Sequence, residues 1–142
     1  MVLSLTLPLQ TNGATAAQGT AGTTPCGETF GANARRLNDT NYQVVFKPSP
    51  LPIPVGQHFQ IDFALCPIGQ AAMPSEVFVD AQMPEHRHGM NYRPEVRRVG
   101  AGLYRAEGLM FHMPGRWELV FELRAAGTGG TPQRLVQSLQ VG

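Results

Sequence analysis

Gln57-His58-Phe59-Gln60-Ile61-Asp62-Phe63-Ala64-Leu65-Cys66 alternates apolar and polar side chains over its whole length. Phe59, Ile61, Phe63 and Leu65 fall on one side, and His58, Gln60, Asp62 and Ala64 on the other. Successive side chains of a strand point to opposite faces, so a strict period of two marks a half-buried β-strand. The same rhythm recurs further along. Val77, Val79, Ala81 and Met83 alternate with Phe78, Asp80 and Gln82. Across Arg116–Arg124, Trp117, Leu119, Phe121 and Leu123 alternate with Glu118, Val120 and Glu122.

Working outward, Tyr42–Lys47 reads as a strand that stops at Pro48-Ser49-Pro50-Leu51-Pro52-Ile53-Pro54-Val55-Gly56, a run too rich in proline for anything but an extended connector. Tyr92–Val99 and Leu103–Met113 hold at least two more strands, broken at Gly100-Ala101-Gly102 and near Gly108. After a turn at Gly127-Thr128-Gly129-Gly130, Arg134–Val141 closes the chain. No long segment holds a 3.6-residue period. About seven strands, with turn signals roughly every 8 to 12 residues, predict an all-β fold. The expected architecture is a single antiparallel β-sandwich, immunoglobulin-like or cupredoxin-like. Trp117 is then a core residue of a late strand.

The chain has 142 residues, 42% of them hydrophobic and only 15% charged, with a formal net charge of +1. That is enough for one domain with a real core, and it excludes a disordered chain. No basic run exists, so nucleic acid or an anionic membrane is not the expected partner. No apolar stretch approaches the ~20 residues of a membrane span.

The two cysteines, Cys26 and Cys66, belong to no Cys-x-x-Cys pair, which argues against a thiolate zinc site or a dithiol redox centre. A disulfide is the simplest reading, two unrelated buried thiols the alternative. A disulfide would place the protein in the periplasm or outside the cell. Met1-Val2-Leu3-Ser4-Leu5-Thr6-Leu7-Pro8-Leu9 is an apolar start, and Ala14-Thr15-Ala16-Ala17 offers a small-residue cleavage site. Residues 1–25 are therefore read as a signal-peptide remnant or a flexible leader, and residues 26–142 as the folded domain.

Chemistry concentrates in Met83-Pro84-Glu85-His86-Arg87-His88-Gly89-Met90-Asn91 and in Phe111-His112-Met113-Pro114-Gly115. Three of the four histidines and four of the six methionines lie between positions 83 and 113. Thioether sulfur and neutral imidazole form a soft ligand set that suits copper, above all Cu(I) over Cu(II). His86 and His88 share a face on a strand or converge in a loop, and Pro84 and Gly89 favour a structured loop. His112 belongs to a remote strand and shares its face with Met110. The proposed ligands are His86 or His88 with His112, plus Met90 and Met83 or Met113. Asn91 and Asp80 are candidates to orient a histidine through hydrogen bonds.

Duller readings apply to each of these residues alone. Histidines in a Pro/Gly loop can fix a turn through backbone carbonyls, and methionines fill cores well. His58, alone on a polar strand face, reads as a surface residue. Arg87, Arg93, Arg97 and Arg98 lie among Glu85 and Glu95 and read as a solvated face. Zinc suits the set less well, because no His-Glu-x-x-His helix is present. No serine sits in a Gly-x-Ser-x-Gly elbow, so a hydrolase triad is not indicated.

The residues Asp80–Asn91, Gly102-Leu103-Tyr104 and Gly108–Leu119 resemble the YtkA-like/FixH-like family of small exported β-sandwich domains. A Met-Pro-x-His-x-His-Gly-Met pattern followed by Phe-x-Met-Pro-Gly-x-Trp carries the likeness. The resemblance implies an immunoglobulin-like sandwich outside the cytoplasm, associated with copper handling or oxidase assembly. A looser similarity links the chain to periplasmic chaperones that deliver Cu(I) to cytochrome oxidase. Met90 and His112 have the matching separation of 21 residues between them. The pattern departs where Met113 directly follows His112, and where Val79 stands eleven residues before Met90.

The expected function is that of a non-enzymatic copper protein, storing the ion or passing it to a protein partner. The alternative is a metal-free interaction module that docks on a membrane or an oxidase-assembly complex.

Overall fold

A computed structural model describes residues 24–127 and 129–142. The reading of residues 1–25 as a leader thus falls almost wholly outside the described residues. A short 3-10 turn at Glu28–Phe30 precedes nine strands: β1 (Arg35–Asn38), β2 (Tyr42–Ser49), β3 (His58–Pro67), β4 (Glu76–Met83), β5 (His88–Gly89), β6 (Glu95–Gly100), β7 (Leu103–Met110), β8 (Gly115–Arg124) and β9 (Gln133–Val141). They form two antiparallel sheets, ordered β1-β2-β3-β7-β6 and β5-β4-β8-β9. The expected β-sandwich is therefore what forms.

The three alternating segments supply the facing layers. Phe59, Ile61, Phe63 and Leu65 on β3 are buried, as are Trp117, Leu119, Phe121 and Leu123 on β8. Phe63 stacks on its cross-strand neighbour Tyr104 at 5.2 Å and meets Phe121 of the facing sheet edge-on at 5.1 Å. Each such ring gains about 1.5–3 kcal/mol from leaving water, so alternation on two strands already fixes which sides of the sheets must meet.

Among the described residues nine strands replace the expected seven or so, and the differences have local causes. β1 (Arg35-Arg36-Leu37-Asn38) carries no apolar rhythm, because it is an edge strand with mostly exposed side chains. β5 is only two residues long. β6 begins at Glu95 rather than Tyr92, just after Pro94, which has no N–H for a ladder. β7 runs through Gly108 without breaking, absorbing it at φ 83° where the register against β3 slips between Phe59 and Ile61. β2 extends past Lys47 to Ser49, with Pro48 paired to Ile61 beyond the end of β1.

Val45, on the outward side of β2, is nonetheless fully buried. The segment after Pro25 packs over it so closely that a Cβ on Gly27 would lie 2.5 Å from the Val45 Cβ. The Cys26–Cys66 disulfide, with Cα atoms 6.0 Å apart, holds that segment down. The bond sits at one end of the sandwich. Along β3 from Cys66 to His58, at about 3.3 Å per residue, the opposite end lies roughly 25 Å away, and it carries the histidines.

Candidate metal centre

β4 delivers Met83 to the inner face, where it is only 1% exposed. The chain then reverses. His86 N–H donates to the Met83 carbonyl at 3.1 Å and Arg87 N–H to the Pro84 carbonyl at 3.3 Å. Arg87 takes the left-handed conformation at φ 55° to complete the turn. β5 runs back with His88 opposite Met83 and Gly89 opposite Gln82, and Met90 N–H donates to the Ala81 carbonyl at 3.1 Å. Directly opposed residues share a face. His88 and Met90 therefore sit on the inner side with Met83 and Ala81, while Met90 packs against the core.

The other half arrives from β7. Beyond Met110, Phe111 is buried and forms a parallel bridge to Val55 in the proline-rich connector. His112 follows, so it lies just past the strand and not within it; the sequence rhythm places it inside, but β7 ends at Met110. Its ring centroid is 5.0 Å from that of His88. Trp117 underlies both rings, 6.0 Å from His88 and 5.3 Å from His112, with Phe111 stacked on it at 4.7 Å. The Trp117 indole N–H donates to the Met113 carbonyl at 3.0 Å, fixing the 111–114 loop. Gly115 then has to be glycine: its φ is 133°, and a Cβ there would lie 2.8 Å from the Met83 methyl.

A charged brace runs along the outside. Arg116 donates to Glu85 at 3.1 Å and to Glu118 at 3.2 Å, and the Gln82 amide donates to Glu118 at 3.0 Å. The bond to Glu85, with a further one to Glu118, pushes the Arg116 pKa above its ordinary value. The Gln82 bond, reinforced by Arg116, holds the Glu118 carboxyl below the usual carboxylate range. The brace ties the histidine turn to β8.

Of the residues singled out from sequence, the fold brings His88, His112 and Met83 to one end of the sandwich. Met90 and Met113 flank them, both partly buried against the core. His86 stands in the exposed turn, its ring 5.6 Å from that of His88. Asp80 points outward from β4 and spends its carboxylate on the Ala81 N–H at 2.8 Å, so it does not orient an imidazole. His58 is a surface residue, edge-on to Tyr92 at 4.9 Å. Trp117 is the core residue expected, and it also touches the site. Nothing in the spacing of Trp117 announces that second contact.

Bonds from a metal to imidazole nitrogen run near 2 Å; with each nitrogen about 1 Å from its ring centre, two imidazoles at a tetrahedral angle put their centroids about 5 Å apart. The His88–His112 separation of 5.0 Å meets that requirement. Among the described residues no three or more His, Cys, Asp or Glu side chains gather as one group able to hold an ion. The other soft donors at this end are the thioethers of Met83, Met90 and Met113.

Fold and site together define a small two-sheet β-sandwich domain with a histidine–methionine end. Residues 36–122 match the YtkA-like family, and the chain belongs to it. In structure it is similar to a DUF4426 family protein from Pseudomonas aeruginosa PAO1. The TM-score is 0.52 at 11% identity, with 77% of this chain and 94% of that chain covered. At such identity the likeness concerns the fold alone. No curated protein matches the chain.

Proposed function

We propose that this protein binds copper at the histidine end of its sandwich, favouring Cu(I) over Cu(II), and stores it or hands it to a protein partner. It acts in the periplasm or outside the cell and catalyses no reaction. The carrying observation is the meeting of His88 and His112, from remote segments, at 5.0 Å beside the strand that holds Met83. Two imidazoles with thioether sulfur from Met83, Met90 or Met113 make a donor set soft enough for Cu(I). Zinc favours His, Asp, Glu or Cys in threes or fours, which this end does not offer as one group. The disulfide supports an oxidising compartment.

His86, exposed beside His88, gives a partner a place to begin ligand exchange. Because imidazole must be neutral to ligate, acid weakens binding. Titration of Cu(I) and Cu(II) into the purified protein, repeated with His88→Ala and His112→Ala, tests the reading. Equal binding by the wild type and both variants rejects it.

A further inference from the structure

His112 carries an anomaly. Its Nδ1 is buried and finds no nitrogen or oxygen partner. Buried polar atoms are rarely left so, and each exception calls for a cause.

Two rings adjoin the imidazole, that of His88 at 5.0 Å and the Trp117 indole. The imidazole meets the Trp117 indole at 85°, with centroids 5.3 Å apart. Trp117 is wholly buried, and its own N–H is committed to Met113. The ring is thus fixed, and π density is what it has left to offer. An indole face is negative and its rim positive. An N–H directed at that face is attracted, whereas a lone pair is repelled. A neutral imidazole has one of each, and its surroundings select the tautomer.

We infer that Trp117 holds His112 as the Nδ1–H tautomer through an N–H···π contact, leaving the Nε2 lone pair for a soft cation. His88 points the same way independently. Its Nδ1 lies 3.2 Å from the Gly89 carbonyl, and a carbonyl only accepts, so Nδ1 carries the proton there too. The two rings then present a matched pair of Nε2 lone pairs. Trp117 is a positioning residue, acting on the ligand atom through His112. The contact stands in the copper-free protein; the ligand role of Nε2 rests on the copper reading above.

Long-range proton–nitrogen correlation spectra of the copper-free full chain at about pH 8 test this, with His112→Gln used to assign the ring. The expected result is an Nδ1–H signal for His112, kept in Trp117→Phe, which retains a π face, and lost in Trp117→Leu. The Leu variant also binds Cu(I) about tenfold more weakly, the scale on which residues that orient ligands act. An Nε2–H tautomer in the wild type overturns the inference, and no folded Leu variant is needed to see it. Cu(I) binding with that tautomer overturns the role of Trp117 alone. An Nδ1–H tautomer without Cu(I) binding upholds the contact and overturns the copper reading.

Discussion

Met83 and His88 stand directly opposite each other on the β4–β5 ladder, so a thioether and an imidazole share the inner face at one end of the sandwich. The pairing allows sulfur ligation to be separated from packing. Met→Leu swaps conserve volume and usually cost less than about 1.5 kcal/mol. Met83→Leu therefore leaves the urea midpoint close to wild type. If the sulfur binds Cu(I), competition with a chromophoric chelator shows the affinity falling by about tenfold or more, while Cu(II) binding changes little. Met83→Ala is a poorer probe, since emptying this buried site costs about 2–5 kcal/mol.

The three clustered histidines are not equivalent. His88 and His112 are half-buried and close, whereas His86 is exposed in the turn. On the copper reading, His88→Ala and His112→Ala each weaken Cu(I) binding by at least about tenfold, and His86→Ala by no more than about threefold, because the first two are the rings 5.0 Å apart. In stopped-flow transfer of Cu(I) to a chelator, His86→Ala slows release. An affinity loss in His86→Ala equal to that of the other two places the ion in the turn instead.

Acid acts on the brace outside the site. The Glu118 carboxyl is held below its ordinary range, first by the Gln82 amide and then by Arg116. A depressed folded-state value means that the stabilisation is complete above the unfolded value of about 4.3 and is lost as pH falls through the depressed one. Urea midpoints of the wild type and Glu118→Gln therefore differ near neutrality and converge on acidification below about pH 4. A constant difference down to pH 2 assigns the effect of the substitution to something other than this charge.

The disulfide closes a loop of 40 residues. Chain entropy gives about 4 kcal/mol for a loop of that size. Cys26→Ala with Cys66→Ala lowers unfolding stability by about that amount, read from urea melts, and frees the segment over Val45 to exchange its amides. The histidine end, on the far side of the sandwich, keeps its copper affinity in the same variant.

Alternation on Gln57–Cys66, Val77–Met83 and Arg116–Arg124 was enough to read the two facing layers, since a half-buried strand writes its burial into every second residue. The ends of strands were harder. Arg35–Asn38 is exposed but for Leu37, which packs against the core, and His88–Gly89 is too short to show a period, so neither betrays itself in sequence. Gly108 reads as a break because glycine has no side chain to pack, yet a bulge accommodates it. The density of His and Met between 83 and 113 was visible in the sequence. Invisible were the differences among these residues, which depend on pairing register: His88 inward, His86 outward, Trp117 beneath the rings and Arg116 clasping Glu85. Contacts across 31 residues, as between Glu85 and Arg116, leave no periodic trace.

The two ends of the domain also settle how it can be leashed. Thr24 and Pro25 lead into the disulfide at one pole, while Gly142 lies against Pro114 and Val55 at the other, the pole of the histidines. A tether or reporter joined directly to Thr24 leaves the histidine pole facing away from its attachment, free to meet a visitor. The same cargo fused after Gly142 crowds that pole and shadows the surface around the paired imidazoles.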